Sequence, residues 1–415
     1  MRRALVFIAL NNLLMLLGFN VWQAIFSNFA VEELGIRADE IGLIQAIREV
    51  PGLMAFLVGV LALLLVEMRI AGLSVVLMGA GIVMTATAHD LSSVILATLV
   101  MSIGFHFFYA SYTSAALILV SPTEAPKVIG RLNSLGALAS VASTLFVIAT
   151  LNALGFRNLF ALAGAVVLIG GVILLPFGHQ PGRKRPEARR PPVRRRYWLY
   201  YTFELLMGSR RHIFSTFAVF LLVREYGVSA QLITLLFLIN SLIGMYLHQA
   251  IGKLIVHFGE RRVLAASLAV LVVVFVGYAV IPLVPALHAQ TVAVSSLSLG
   301  EWVLFPAFVA TPALLILLTL FVADNILFGF ALAAQTYFQK IALMPEDITP
   351  NISLGQTINH VAAVIIPIVG GVMWETVGAQ YTFLAGLVTV VISLALTRYM
   401  RLPLPEPVEA LATGR

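Results

Sequence analysis

Two arginines, a histidine and a glutamate stand inside an apolar stretch, Phe203-Glu204-Leu-Leu-Met-Gly208-Ser209-Arg210-Arg211-His212-Ile-Phe-Ser215-Thr216-Phe217. The stretch runs from about Tyr197 to Val223, long enough to cross a bilayer. A central arginine costs roughly 2.5–3.5 kcal/mol on an insertion scale, so these charges need a partner or water and cannot face lipid. At helical spacing Glu204, Gly208, Arg211 and Ser215 fall at i, i+4, i+7 and i+11, on one face. Arg210 lies about 100° round, nearer the aromatic stripe of Phe203, Phe214 and Phe217. Two readings follow. The charges pair with a neighbouring helix and fix packing, or they line a wet cavity that holds a solute. A guanidinium does not release its proton, so Arg210 and Arg211 are fixed positive charges suited to a carboxylate or phosphate. They are also suited to neutralise Glu204, Asp324 or Glu49. A buried carboxylate that loses its partner is more readily protonated, which is one way to couple solute to proton movement. His106, His212 and His360 are candidate proton relays, each with the plainer alternative of a satisfied packing residue.

The rest of the chain must build a membrane around that face. Of 415 residues, 60% are hydrophobic and only 11% charged, with mean hydropathy +0.99. Soluble domains carry about 25% charged residues, so the chain reads as an all-α polytopic membrane protein. The long apolar runs between short polar breaks are helical and not β-barrel in pattern. There is no cysteine, which removes disulfides, thiolate metal sites and cysteine nucleophiles. No Gly-x-Ser-x-Gly, His-Glu-x-x-His or phosphate loop is present, so no enzyme activity, cofactor or metal site is expected. The net charge of +7 sits mostly in loops expected on one side, which is positive-inside patterning and calls for no nucleic-acid partner.

Twelve spans can be traced. The first, about Ala4–Val31, follows Met1-Arg2-Arg3 and carries the polar stripe Asn12, Asn20, Gln23 and Ser27; it is a retained helix, not a signal peptide. The second, about Ile41–Val66, holds Arg48-Glu49-Val50-Pro51, and the third is about Ala71–Ala88. The fourth, about Ser93–Val120, puts Ser102, His106, Tyr109 and Thr113 on one face. The fifth and sixth are about Arg131–Leu151 and Leu159–Phe177. Residues 178–196 hold four prolines and eight Lys/Arg against one Glu, a basic linker expected on the cytoplasmic leaflet. After the seventh come about Gln231–Val256 and Val263–Ile281, then an outer-face loop, Pro282–Thr311. The tenth, about Pro312–Ala342, contains Asp324-Asn325, Gln335 and Gln339. The eleventh, about Ile352–Trp374, contains Gln356, His360 and Pro367, and the twelfth is about Tyr381–Met400. The expected units are a bundle over 1–177, the linker 178–196, a bundle over 197–402 and a tail, 403–415.

The halves repeat. Gly59-x-Leu61 followed by Glu67-x-Arg69 recurs as Gly252-x-Leu254 followed by Glu260-x-Arg262, at an offset of 193. Glu33-Leu-Gly35 recurs as Glu225-Tyr-Gly227. Halves of six spans in one orientation are parallel repeats about the membrane normal. The stretch Gly252-Lys-Leu254-Ile-Val256-His257-Phe-Gly259-Glu260-Arg261-Arg262-Val-Leu264 resembles the signature between helices two and three of each half of the major facilitator superfamily. Val256 stands where that signature has an acid, and His257 where it has the next arginine. Pro367-Ile-Val-Gly370-Gly371 is similar to a drug/proton antiporter motif, but lies in the eleventh span and not the fifth.

The resemblance implies the superfamily fold, twelve transmembrane helices as two pseudo-symmetric six-helix bundles, working by alternating access. It implies that helices one, four, seven and ten line the path, here with Asn20, His106, Glu204, Arg211 and Asp324. It also implies a gating role for Gly59, Glu67 and Arg69, and for Gly252, Glu260, Arg261 and Arg262. The expected substrate-binding set is Arg211, Arg210, Asn20, Gln23, His106, Tyr109, Asn325 and Gln335. The expected proton-coupling set is Asp324, Glu204, Glu49, His360 and His212. The expected function is proton- or ion-coupled transport of a small anionic or zwitterionic solute by a monomer in a bacterial-type cytoplasmic membrane, with both termini cytoplasmic. A multidrug efflux antiporter, with Phe19, Phe105, Tyr109 and Phe328 as its walls, is the alternative. A non-transporting membrane assembly factor is a third.

Overall fold

A computed structural model describes residues 2–55, 57–62, 64–119, 125–178, 194–300, 302–343 and 347–401. The body of the basic linker, residues 179–193, and the tail lie outside the described residues. The first half contains α1 (Arg2–Glu32), α2 (Ala38–Leu53), α3 (Leu57–Leu61), α4 (Glu67–Thr87), α5 (Leu91–Leu119) and α6 (Ala125–Leu174). The second contains α7 (Trp198–Arg224), α8 (Ala230–Phe258), α9 (Glu260–Val280), α10 (Pro312–Phe328), α11 (Leu332–Ile341), α12 (Ile348–Val377) and α13 (Ala379–Leu396).

These elements make twelve crossings in two six-helix bundles. α6 is two crossings joined at Gly155, whose φ of 69° and ψ of 175° break the helix where the fifth and sixth spans were expected to part. The expected second span is divided. Pro51 has no N–H for the ladder, α2 ends at Leu53, and α3 resumes at Leu57. The expected tenth span is also divided, with a tight turn over Gly329–Ala331 between α10 and α11. Helix starts follow local chemistry. Thr311 Oγ1 accepts from Leu314 N ahead of Pro312, and Asp90 Oδ1 accepts from Ser93 N at 2.7 Å.

The loop expected over 282–311 contains more structure than its sequence suggests. Strand β1 (Val292–Val294) pairs antiparallel with β4 (Phe308–Ala310), and between them β2 (Leu297–Leu299) pairs with β3 (Trp302–Phe305). Gly300, at φ 64°, begins the turn between β2 and β3. The hairpin rests on α6 and α8. Next to α12, Asp347 accepts from the Tyr197 hydroxyl at 2.6 Å and from Arg194 Nε at 3.0 Å. Those bonds hold its carboxyl below the usual range, the tyrosine foremost. This anchoring is therefore complete at neutral pH and is lost only as pH falls through that lowered value.

The halves meet tightly at one end. Asn28 Nδ2 donates to Val228 O at 2.9 Å, Ala38 N to Glu375 Oε1 at 2.9 Å and Arg224 Nη1 to Ile36 O at 3.4 Å. Gln231 and Asn152 are also bonded there. Helices α2 and α12 approach backbone to backbone. A Cβ on Gly42 would lie 2.2 Å from Pro367 O, and one on Gly371 would lie 2.5 Å from Ala38 O. The glycine of the Pro-x-x-Gly-Gly motif is thus an inter-half contact. At the opposite end a Cβ on Gly252 would meet nothing within 4 Å, and Val256 is 88% exposed.

Gly371→Val should push α2 and α12 apart. With no native cysteine to interfere, an Ala38→Cys/Glu375→Cys pair reports the contact. Cross-linking is expected to be efficient with Gly371 present and to fall strongly with Gly371→Val.

Candidate functional site

At mid-depth, α2, α5, α7, α10 and α12 bring charged and polar side chains together. Arg210 on α7 is 1% exposed, and its Nη1 lies 2.6 Å from Asp324 Oδ1 on α10. The sequence expectation placed Arg210 among substrate contacts beside an aromatic stripe. The structure instead gives its charge to Asp324 and leaves it no surface for a solute. Arg211, one residue on, shares the Phe328 ring with Arg210, whose guanidinium lies 5.8 Å from the ring centre. Arg211 is exposed, its guanidinium lies 4.2 Å from the Phe328 ring centre, and no carboxylate among the described residues pairs with it. The charges of Glu49, Arg210, Arg48 and Asp324 all act on it.

The other residues of that face divide. Ser215 is exposed. Gly208, read as leaving room for a ligand, is filled: Asn359 Nδ2 of α12 lies 2.7 Å from where its Cβ would be. Glu204 lies beside the Tyr200 hydroxyl, and both press on Gly355 of α12, about two turns from Arg211. His212 reaches Asn359 Oδ1 at 3.3 Å.

A second group spans the two halves. Glu49 Oε1 takes Arg48 Nη2 at 2.7 Å; Glu49 Oε2 faces His360 Nδ1 at 3.1 Å and His106 Nε2 at 3.7 Å. Glu49 and His106 belong to the first half and His360 to the second. With histidines neutral, Arg48, Arg210 and Arg211 against Glu49 and Asp324 leave the cluster one positive charge in excess.

Beside this cluster lies a cavity of about 1050 Å³ between α1, α6, α8 and α10. Asn20, Gln23, Asn240, Ser241 and Asn325 line it, and so does Phe328, which carries Arg211 on its ring. Part of this polar lining is already engaged. Asn20 Nδ2 donates to Ser140 Oγ at 2.9 Å and Asn325 Nδ2 to Phe321 O at 3.0 Å. Asn240 has neither amide atom bonded among the described residues. Tyr109 is half-exposed against Phe105 and Phe108, away from those walls, and Gln335 is exposed on α11. Sequence reasoning missed Arg48, Asn240 and Asn359 as site residues. Arg48 had a signal, its place beside Glu49 within a span. A single asparagine in an apolar helix carries none that tells a site from a packing contact.

The gating set sits at the open end. Glu67 and Glu260 begin α4 and α9 and are buried, Glu260 with Lys340 Nζ at 2.5 Å. Arg69, Arg261 and Arg262 are exposed, and the surroundings of Gly59 lie outside the described residues. Among the described residues nothing lies within 4 Å of a Cβ on Gly252.

The architecture has counterparts. The sequence profile of the Major Facilitator Superfamily matches residues 8–316, and the chain belongs to that family. Comparison with curated proteins finds no match. Among solved structures, the nucleoside transporter NupG superposes with TM-score 0.72 at 13% identity, covering 96% of this chain and 98% of its own. A bacterial homologue of the human lysosomal transporter Spinster, inward-facing and occupied, gives 0.71 at 15%, covering 95% and 96%. A bacterial homologue of the iron transporter ferroportin, inward-facing, gives 0.70 at 16%, covering 96% and 99%. At these identities the likeness shows the fold of a multi-pass membrane transporter.

Arg210 and Asp324 should behave as a unit. Arg210→Leu or Asp324→Leu alone leaves a buried charge uncompensated and should cost about 3–5 kcal/mol, with the double variant much nearer wild type. Unfolding midpoints of the four purified proteins in one detergent measure the coupling.

Proposed function

We propose that the protein is a secondary active transporter for a small anionic or zwitterionic solute, working by alternating access in the cytoplasmic membrane. The observation that carries this reading is Arg211. It is the exposed guanidinium of a net-positive cluster, has no described carboxylate partner, and is stacked on a wall of a largely apolar cavity that carries several amide and hydroxyl side chains. A carboxylate or phosphate gains two charge-assisted hydrogen bonds there without displacing an existing ion pair. Asn20, Gln23, Asn240 and Asn325 supply neutral donors and acceptors for the remainder of a polar solute.

The basic residues Arg2, Arg3, Arg194, Arg195 and Arg196 support a cytoplasmic open end by the positive-inside rule. The arrangement is then inward-facing. We assign the coupling proton to Asp324. Solute on Arg211 adds negative charge near the Arg210–Asp324 pair, and that charge favours a proton on Asp324. Glu204 lies farther along α7 and is the second choice. The efflux reading has less support. Phe19 and Phe105 stack on each other with centres 4.3 Å apart, and Phe328 is occupied by Arg211.

Two measurements test the reading after a thermal-shift screen of the purified protein against anions, amines and drugs. Arg211→Lys keeps the charge and loses the planar fork, so affinity for the anion that stabilises wild type should fall roughly tenfold or more. Unchanged affinity would make the arginines structural. In proteoliposomes Asp324→Asn should abolish uphill transport and keep solute exchange. Accumulation against a gradient by this variant would remove Asp324 from the coupling role.

A further inference from the structure

The transport reading leaves Glu49, His106 and His360 without a task, and their hydrogen bonds fix what they present to one another. Ser102 Oγ donates to the Arg48 carbonyl, so its proton is committed. His106 Nδ1 lies 3.0 Å from both Ser102 Oγ and Ser102 O. A carbonyl oxygen only accepts, and the hydroxyl proton is already used, so the proton between these groups belongs to Nδ1. In the neutral ring Nε2 is then a bare lone pair. It points at Glu49 Oε2 from 3.7 Å, acceptor against acceptor. His360 Nδ1 lies 3.1 Å from the same oxygen, a hydrogen bond in the Nδ1–H tautomer and a lone pair free for a cation in the Nε2–H tautomer. The three ligand atoms lie within 4.8 Å of one another. Such a gap between lone pairs suits a cation.

From this geometry we propose that Glu49 Oε2, His106 Nε2 and His360 Nδ1 form a binding site for a divalent first-row transition cation of the zinc, nickel or cobalt type. Two imidazoles and a carboxylate select these ions over magnesium or calcium, which prefer all-oxygen shells. Ligand bonds of about 2.0–2.2 Å place neighbouring donors roughly 3–3.5 Å apart, so the site closes with small ring rotations. The outer contacts are those of a metal site: His106 Nδ1–H donates to a backbone carbonyl, and the second Glu49 oxygen is held by Arg48. Gly52 makes the convergence possible, because a Cβ there would lie 2.7 Å from His360 Nδ1 and 2.9 Å from His106 Cδ2. The His360 side chain is 29% exposed, which leaves a route for the ion and a position for water or solute. The charge of Arg48 weakens the carboxylate as a donor, so micromolar binding is expected rather than the tighter grip of a closed structural site.

The ligands come from both halves, which makes the site conformational. An ion bound there joins α2 and α5 to α12, holds the halves in the present arrangement, and is released when they separate at this depth. The inference does not depend on the substrate being an anion or on Asp324 carrying the proton.

Full-length protein without a histidine tag, titrated with Co²⁺ in detergent at pH 7.5, tests it. Wild type should bind one equivalent and develop the visible bands of nitrogen-ligated cobalt, lost on adding Zn²⁺. His106→Ala and His360→Ala should each weaken binding by at least about tenfold and abolish the bands. His288→Ala, at the closed end beside Tyr226, should match wild type. Absence of saturable binding by wild type overturns the proposal whatever the variants do. Bands that survive both histidine variants, or that vanish with His288→Ala, place the ion elsewhere and overturn it as well.

Discussion

Arg210 Nη1 and Asp324 Oδ1 meet at 2.6 Å with almost no exposed surface, in helices that cross a hydrocarbon layer. An arginine in that position keeps its charge, and lipid offers nothing to balance it. The pairing therefore fixes more than one contact. It ties α7 to α10, and the neighbouring Arg211 lies over Phe328, a ring of α10 beside the cavity. One of two adjacent arginines is paired and buried, and the other is exposed.

The same logic applies to α2, where Glu49 is balanced by Arg48 on one oxygen and faces two histidines on the other. Here one partner, His360, lies in the other half, so the contact crosses between the halves. It continues a seam that begins with the glycine contacts of Gly42 and Gly371. Glycines at a helix interface let backbones approach closely, which suits a surface that must close and part as a unit. At the other end, among the described residues, nothing lies within 4 Å of a Cβ on Gly252, and Arg261 and Arg262 are exposed. Among the described residues the two ends of the bundle thus differ in how closely the halves pack.

Apolar runs of bilayer length and the 193-residue repeat determine the crossings and their division into halves, because hydrocarbon demands an uninterrupted helix and duplicated halves keep their landmarks. Charges within spans likewise determine where chemistry is concentrated, since only partners or water can hold them there. Tertiary structure decided which charge meets which. Arg210 and Asp324 are 114 residues apart, and Glu49 and His360 are 311 apart. Helical phase separates Arg210 from Arg211 but does not say which of the two finds an acid. Nor does it show that Asn359 occupies the space beside Gly208, or that the 282–311 segment folds into paired strands. Those outcomes depend on the rotation and depth of neighbouring helices, and packing across the bundle sets both.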